Sequence, residues 1–186
     1  MLTITEHCFK INIRQSRYLT TGDVQPEEDL TIYPVILRLR TESGVNSSLI
    51  LDGREKEFTI DGDFYKIANQ TVIYRVIYPL DGMLKLSRAT NLLPVEDKVG
   101  LIADTVSIST SGYQKAPSLL DLINEWKSET EPSLLQEILN RLDILRKTWR
   151  YELEEFRDAI QKLIRMYFCP RSRSMVMFSA VGRVYV

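Results

Sequence analysis

The residues able to do chemistry are few. One histidine, His7, and two cysteines, Cys8 and Cys169, are the only imidazole and thiols in 186 residues. A catalytic zinc needs three protein ligands converging on one point. Adjacent residues of a strand point to opposite faces, so His7 and Cys8 cannot share an ion in regular β geometry. Cys8 and Cys169 lie far apart and make no metal-ligand or redox spacing, which reads as buried thiols in a reducing compartment, with a disulfide as the alternative. A Ser-His-Asp or Cys-His relay would have to use His7 as its base. No Gly-x-Ser-x-Gly elbow presents a nucleophile. Neither phosphate loop, Gly-x-x-x-x-Gly-Lys-Ser/Thr nor Gly-x-Gly-x-x-Gly, occurs. No residue is therefore expected to be catalytic or to bind metal or cofactor, and His7 is read as structural or solvent-exposed.

Carboxylates are plentiful, as in Glu27-Glu28-Asp29 and at Glu152, Glu154 and Glu155. Paired acids perform general acid/base work only when their surroundings drive their pKa values apart. The first group falls in a loop and the second at a helix start, so both are read as solvated or as helix-dipole partners. Trp126 and Trp149 fall on apolar stripes and are read as core. The 24 basic and 25 acidic side chains give a net charge of −1, with no footprint for nucleic acid or an anionic membrane. Arg165, Arg171 and Arg173 beside Met and Phe are too few to change that. No run approaches the ~20 apolar residues that span a bilayer. No secretory signal opens the sequence, so the expected compartment is cytoplasmic.

The elements that must position these residues change period along the chain. Phe9, Ile11 and Ile13 alternate with Lys10, Asn12 and Arg14, and Val35, Leu37 and Leu39 with Ile36, Arg38 and Arg40. That is strand patterning. Further strand-like runs lie at 48–51, 57–60, 64–67 and 72–78. Turn signals separate them at Thr21-Gly22-Asp23, Glu42-Ser43-Gly44, Asp52-Gly53 and Asp61-Gly62-Asp63, with Asp-Gly read as a hairpin mark. A small antiparallel β-sandwich is expected.

From Pro79 the helical period takes over. Leu80, Met83, Leu84 and Ser87 share a face, with Pro79 as a first-turn residue. Pro94 opens a helix whose buried stripe is predicted to be Val95, Val99, Ile102 and Val106, with Gly112 ending it. Ser118 and Asp121 resemble a capping box for Leu119, Leu122, Ile123 and Trp126. Pro132 opens a helix carrying Leu135, Ile138, Leu139, Leu142 and Trp149, and another carries Leu153, Phe156, Ile160, Leu163 and Ile164. Short connections between amphipathic helices predict stacked helical hairpins, an incomplete HEAT- or armadillo-like stack. The predicted organisation is a β-sandwich domain over 1–78, the start of a helical solenoid-like domain over 79–165, and an atypical tail over 166–186 that fits no helix period.

The stretch from Phe64 to Tyr78, FYKIANQTVIYRVIY, resembles a motif of the gluzincin-type zinc aminopeptidases. In that family it leads from a β-sandwich into a helical C-terminal domain. Leu93 to Asp104, LPVEDKVGLIAD, resembles the family's Leu-x-x-Glu-Asp-Arg-x-Gly-Leu-x-x-Asp helix, and Ser111-Gly112-Tyr113 also fits. Gln15 to Leu19, Leu30 to Val35 and Leu122 to Lys127 are similar to the fungal cytosolic members. The resemblance singles out Asn69, Gln70, Tyr74, Arg75, Tyr78, Asp97, Gly100 and Asp104 as structural motif positions. It departs from the family at Val72-Ile73, where a Gly-Phe stands, and at Ile77, where an Asn stands. The family's His-Glu-x-x-His and Gly-x-Met-Glu-Asn motifs are absent, and 166–186 does not resemble the family's continuation.

The resemblance implies a non-catalytic C-terminal portion of a zinc aminopeptidase, inactive alone, that supports the catalytic domain and roofs the peptide chamber. Zinc would belong to the parent and not to this chain. Its partners would be the catalytic domain or a peptide substrate. The alternative reading is a stand-alone helical-repeat module that binds other proteins.

Overall fold

The computed structural model describes residues 1–7, 10–22, 24–41, 43–60, 65–67, 74–114, 117–148, 150–151 and 154–168. Met1–Leu134 forms one compact unit and the chain from Leu135 onward a second.

Among the described residues the first unit begins with seven strands in two small sheets. One sheet has the order β5-β2-β1-β7, from β5 (Glu55–Thr59), β2 (Lys10–Gln15), β1 (Leu2–His7) and β7 (Val76–Ile77). The other has the order β4-β3-β6, from β4 (Gly44–Leu51), β3 (Val35–Thr41) and β6 (Tyr65–Ile67). The expected alternation is present: Leu2, Ile4, Ile11, Ile13, Leu37, Leu39 and Leu51 are buried while Lys10, Arg14 and Ile36 are exposed. Pairing is antiparallel throughout except that β7 runs parallel to β1, with Leu2 opposite Val76.

Asp52-Gly53 is not a hairpin turn. β4 and β5 lie in different sheets, so this dipeptide carries the chain from one to the other. Gly53 is not among the positive-φ glycines that a type I′ turn requires. Gln15 fixes the crossing: its Nε2 donates to Gly53 O at 2.7 Å and to Tyr33 O at 2.9 Å, and its Oε1 accepts from Tyr33 N at 3.0 Å. The Asp61-Gly62-Asp63 signal lies outside the described residues. Between β3 and β4 the register shifts past Leu37 and Leu39, and Asn46 Oδ1 accepts from both Ser48 N and Ser48 Oγ. This is a bulge held by one amide side chain.

The helices follow in the predicted order. α1 (Leu80–Arg88) has Pro79 as its N-cap, one position outside the first turn. α2 (Val95–Thr110) is capped by Pro94 and ends in a Schellman motif, where Tyr113 N donates to Ile108 O and Gly112 N to Ser109 O. Gly112 takes the positive φ of 78° that this motif needs. α3 (Pro117–Glu125) begins at Pro117, so Ser118 sits within its first turn and not at a cap. Trp126 follows in a 3-10 turn, fully buried, with Nε1 donating to Ser87 O of α1 at 2.8 Å.

The predicted stripe of α2 is too narrow. Ile102 and Val106 are buried, but Val95 and Val99 are only half-buried. Asp97, Lys98, Gly100, Leu101, Asp104, Thr105 and Ile108 are buried as well. This helix is covered on more than one face, which an amphipathic pattern cannot express.

A loop from residue 16 to 34 reaches the C-terminal end of α2. Tyr18 Oη donates to Ser107 O at 3.1 Å and lies 2.8 Å from Ser111 Oγ, while Tyr113 Oη accepts from Leu19 N at 3.2 Å. The approach is closest at Gly22, where φ is +74° and a Cβ would fall 2.1 Å from Ser111 O. Arg54 and Asp29 hold the rest of the loop, with Nη1 to Oδ1 at 3.0 Å.

α4 (Pro132–Thr148) runs into the second unit, which also contains α5 (Glu154–Phe168). Ile138, Leu142, Leu145 and Ile160 are buried there, while Leu139 and Ile164 are half-buried. Helix continues to Phe168, past the point where the sequence period fails. Residues 169–186, Trp149, Glu152 and Leu153 lie outside the described residues.

Candidate functional site: a charge network between strands and helix

Seven residues are two turns of helix, so Asp97 and Asp104 stand on one face of α2, with Gly100 between them. Both carboxylates are buried. Asp97 Oδ1 accepts from Lys66 Nζ and Asp97 Oδ2 from Arg40 Nε, each at 3.0 Å. Arg40 and Lys66 are directly opposed across β3 and β6. Two cations in that position repel, and Asp97 gives one oxygen to each. Lys66 Nζ also donates to Ile67 O at 3.0 Å.

Two turns on, Asp104 Oδ1 accepts from Arg75 Nη1 at 2.9 Å and Oδ2 from Val76 N at 3.3 Å. Two residues past Val76, Tyr78 closes the circuit: its Oη accepts from Ile67 N at 3.0 Å. One helix face thus holds the ends of both sheets, β3 and β6 through Asp97 and β7 through Asp104. Gly100 leaves that face without a side chain midway, at a helix-propensity cost of about 1 kcal/mol relative to Ala.

Burial dominates the titration of this cluster. It lowers the Lys66 ammonium below its ordinary value, opposed by Asp97 and Asp104 and reinforced by Arg40. It raises the Asp104 carboxyl above the ordinary carboxylate value, against the pull of Arg75, the Val76 N–H and Lys66. Half-buried Tyr74 is pushed up to about 12, by burial first and by Asp104 second.

Of the eight motif positions read from sequence, Arg75, Tyr78, Asp97 and Asp104 are tied into this network. Tyr74 and Gly100 lie beside it, and Asn69 and Gln70 lie outside the described residues. Lys66 and Arg40 were not singled out from sequence. Their signal is a cation at a position that alternation turns toward a covered face, and it becomes visible only once the register of β6 on β3 is known.

The other acidic groups are accounted for differently. Asp29 accepts from Arg17 N at 2.6 Å as well as from Arg54, so it organises its loop. Glu154 and Glu155 are exposed in the first turn of α5. A shallow depression of about 700 Å³ lies along the β3–β4 hairpin at Thr41 and residues 43–48, where hydroxyl and amide groups line it without a titratable side chain. Among the described residues no three His, Cys, Asp or Glu side chains gather where they could hold a metal ion. Nor is any described helix long and apolar enough to cross a membrane.

Residues 68–180 match the family model described as the ERAP1-like C-terminal domain. The chain belongs to the M1 aminopeptidase family. The match begins within the strand-to-helix motif and continues through most of the stretch read as an atypical tail. Among curated proteins, the chain is 40% identical over 164 residues to the alanine/arginine aminopeptidase of Saccharomyces cerevisiae, covering 87% of this chain and 19% of that protein. It is 41% identical over 153 residues to aminopeptidase 2, mitochondrial, of the same yeast, covering 81% and 16%. To aminopeptidase 2 of Candida albicans it is 40% identical over 157 residues, covering 82% and 17%. The chain therefore spans less than a fifth of the length of these relatives, in their C-terminal region.

Proposed function

We propose that these residues are a non-catalytic portion of a zinc aminopeptidase, which supports the catalytic domain and roofs the chamber that receives the peptide. The observation carrying this reading is the two-aspartate face of α2, built from the motif positions of the family in a chain 40% identical to a yeast aminopeptidase over 87% of its length. Arg75, Tyr78, Asp97 and Asp104, with Tyr74 and Gly100 beside them, act as a clamp that fixes the strands to the first helices. Asn69 and Gln70 belong to the same sequence motif.

The partners are the catalytic domain and, through it, a peptide substrate. Nucleic acid and membrane are not partners. The proposed compartment is the cytoplasm, although one yeast relative is named as mitochondrial. In such enzymes zinc supplies a polarised water and a Lewis acid; no step of the hydrolysis is assigned to a residue of this chain.

The test is to assay the purified chain on aminoacyl-arylamides with added zinc. No turnover is expected, and zinc-dependent turnover that a chelator abolishes overturns the reading. Asp-to-Asn changes at the positions of the yeast enzyme that match Asp97 and Asp104 are expected to lower its thermal inactivation temperature with KM unchanged. A changed KM at unchanged stability would move these residues into substrate binding.

A further inference from the structure

We infer that Asn46 is a self-modification site, at which the backbone nitrogen of Ser47 displaces the side-chain amide as ammonia. Asn46-Ser47-Ser48 lies in β4, at the end of its sheet, and all three residues are exposed. A regular ladder fixes each peptide in one extended conformation. Here the register on β3 passes from Asn46 opposite Leu39 to Leu49 opposite Leu37. Ser47 and Ser48 fall in the interruption, where a bulge leaves its extra residue unpaired.

The Asn46 side chain is already folded over the peptide that attacks it. Its Oδ1 accepts from Ser48 N at 3.0 Å. A backbone N–H can only donate, so the atom it meets is the amide oxygen and not the amide nitrogen. This bond makes an Asx turn, and the ring it closes contains both Asn46 Cγ and Ser47 N. Ser48 Oγ donates to the same oxygen at 2.7 Å. Two donors on one carbonyl oxygen polarise its carbon, and they strengthen as that oxygen gains charge in a tetrahedral intermediate. Ser47 carries no branched side chain to shield its nitrogen. The shallow depression along Thr41 and residues 43–48 opens the site to water.

Hydroxide takes the proton of Ser47 N, that nitrogen bonds to Asn46 Cγ, and the Cγ–Nδ2 bond breaks. Nδ2 leaves as ammonia after taking a proton from water, which returns the hydroxide, and a succinimide remains. Water then adds to one of the two ring carbonyls. Opening at Cγ gives aspartate at this position. Opening at the main-chain carbonyl gives isoaspartate, with the chain rerouted through the side-chain carbon. Either product places a carboxylate in residues 43–51, a segment without any charge.

The test follows Asn46 by peptide mapping while the full chain is incubated at neutral pH, folded in one arm and unfolded by urea in the other. The mass gain from amide to acid reads both products, and enzymatic isoaspartyl methylation reads the second. The folded chain is expected to convert at least as fast as the unfolded one. Ser48→Ala is expected to slow the folded chain by about twofold to tenfold, the worth of one neutral hydrogen bond, and to leave the unfolded rate unchanged. A folded chain that converts more slowly than the unfolded one overturns the proposal, because the hairpin then protects the amide. A folded Ser48→Ala chain that converts at the wild-type rate overturns it as well. Should Ser48→Ala fail to fold, the two wild-type rates decide.

Discussion

Arg40 and Lys66 face each other across β3 and β6, and Asp97 bonds to both through its two oxygens. A pair of adjacent cations in a buried place is unfavourable by itself, because neither water nor distance screens it. Here the anion comes from a helix, so the two strands and α2 stabilise one another's charges. Removing any member leaves the others worse placed than if the group had been apolar.

Asp97→Asn keeps the shape of the side chain and removes its charge. Lys66, almost fully buried, then loses the anion it is bonded to and faces Arg40 directly. The expected loss of stability is about 3–5 kcal/mol. Lys66→Met is expected to cost less, because Asp97 keeps Arg40. Urea unfolding of the two variants checks the order, and an equal or smaller loss for Asp97→Asn would contradict this account of the network.

Tyr74 makes stability fall at high pH. Its hydroxyl is held neutral to about 12 in the folded chain against an ordinary value of 10.0. Below pH 10 both states keep the proton and this group contributes no pH dependence. Between those values the unfolded chain releases the proton while the folded chain retains it, so stability drops as pH rises. Tyr74→Phe is expected to flatten that part of the profile, read from melting temperatures at pH 9 to 12 (a range set by the shift itself). An identical slope in wild type and variant would place the effect elsewhere.

Gly22 and Gly44 both have positive φ, +74° and +132°, but differ in their surroundings. A Cβ on Gly44 meets nothing within 4 Å, so Gly44→Ala costs backbone strain alone, about 1–3 kcal/mol. On Gly22 the same atom collides with Ser111 O. Gly22→Ala is therefore expected to cost more and to release the Tyr18 contact with α2. Comparing the two melts, with Tyr18→Phe as reference, checks this; a milder effect at Gly22 would refute it.

Trp126→Phe keeps an aromatic in the core and deletes the bond from Nε1 to Ser87 O. A buried carbonyl deprived of its donor costs about 1–3 kcal/mol. The expected signature is a lower midpoint in denaturant, with the far-ultraviolet spectrum unchanged. A variant as stable as wild type would mean that the carbonyl finds another donor.

The parts of this fold written in local pattern were readable from the sequence. Ile11, Ile13, Leu37 and Leu39 declare their buried face by alternation, and Pro94, Gly112 and Pro132 mark helix ends through backbone chemistry that depends on little else. Features that depend on distant pairing were not readable. Asp52-Gly53 has the residues of a hairpin, yet the bonds from Gln15 and the switch between sheets decide its course. The wide burial of α2 follows from packing on several sides, and no single-helix pattern encodes neighbours. The candidate site falls between these cases. Asp97 and Asp104 stood out through the family resemblance alone, whereas Arg40 and Lys66 required the register of two strands far apart in sequence.

The parallel pairing of β1 with β7 has a consequence for the order of folding. The first strand of its sheet cannot take its last neighbour until every other strand has been made. Even then, Val76 N–H is held by an aspartate two helices downstream. During synthesis β1 keeps one side open until β7 has left the ribosome. Contacts so remote in sequence slow folding and prolong the life of unpaired edges. Closure of the sheet and docking of α2 should therefore be one late event.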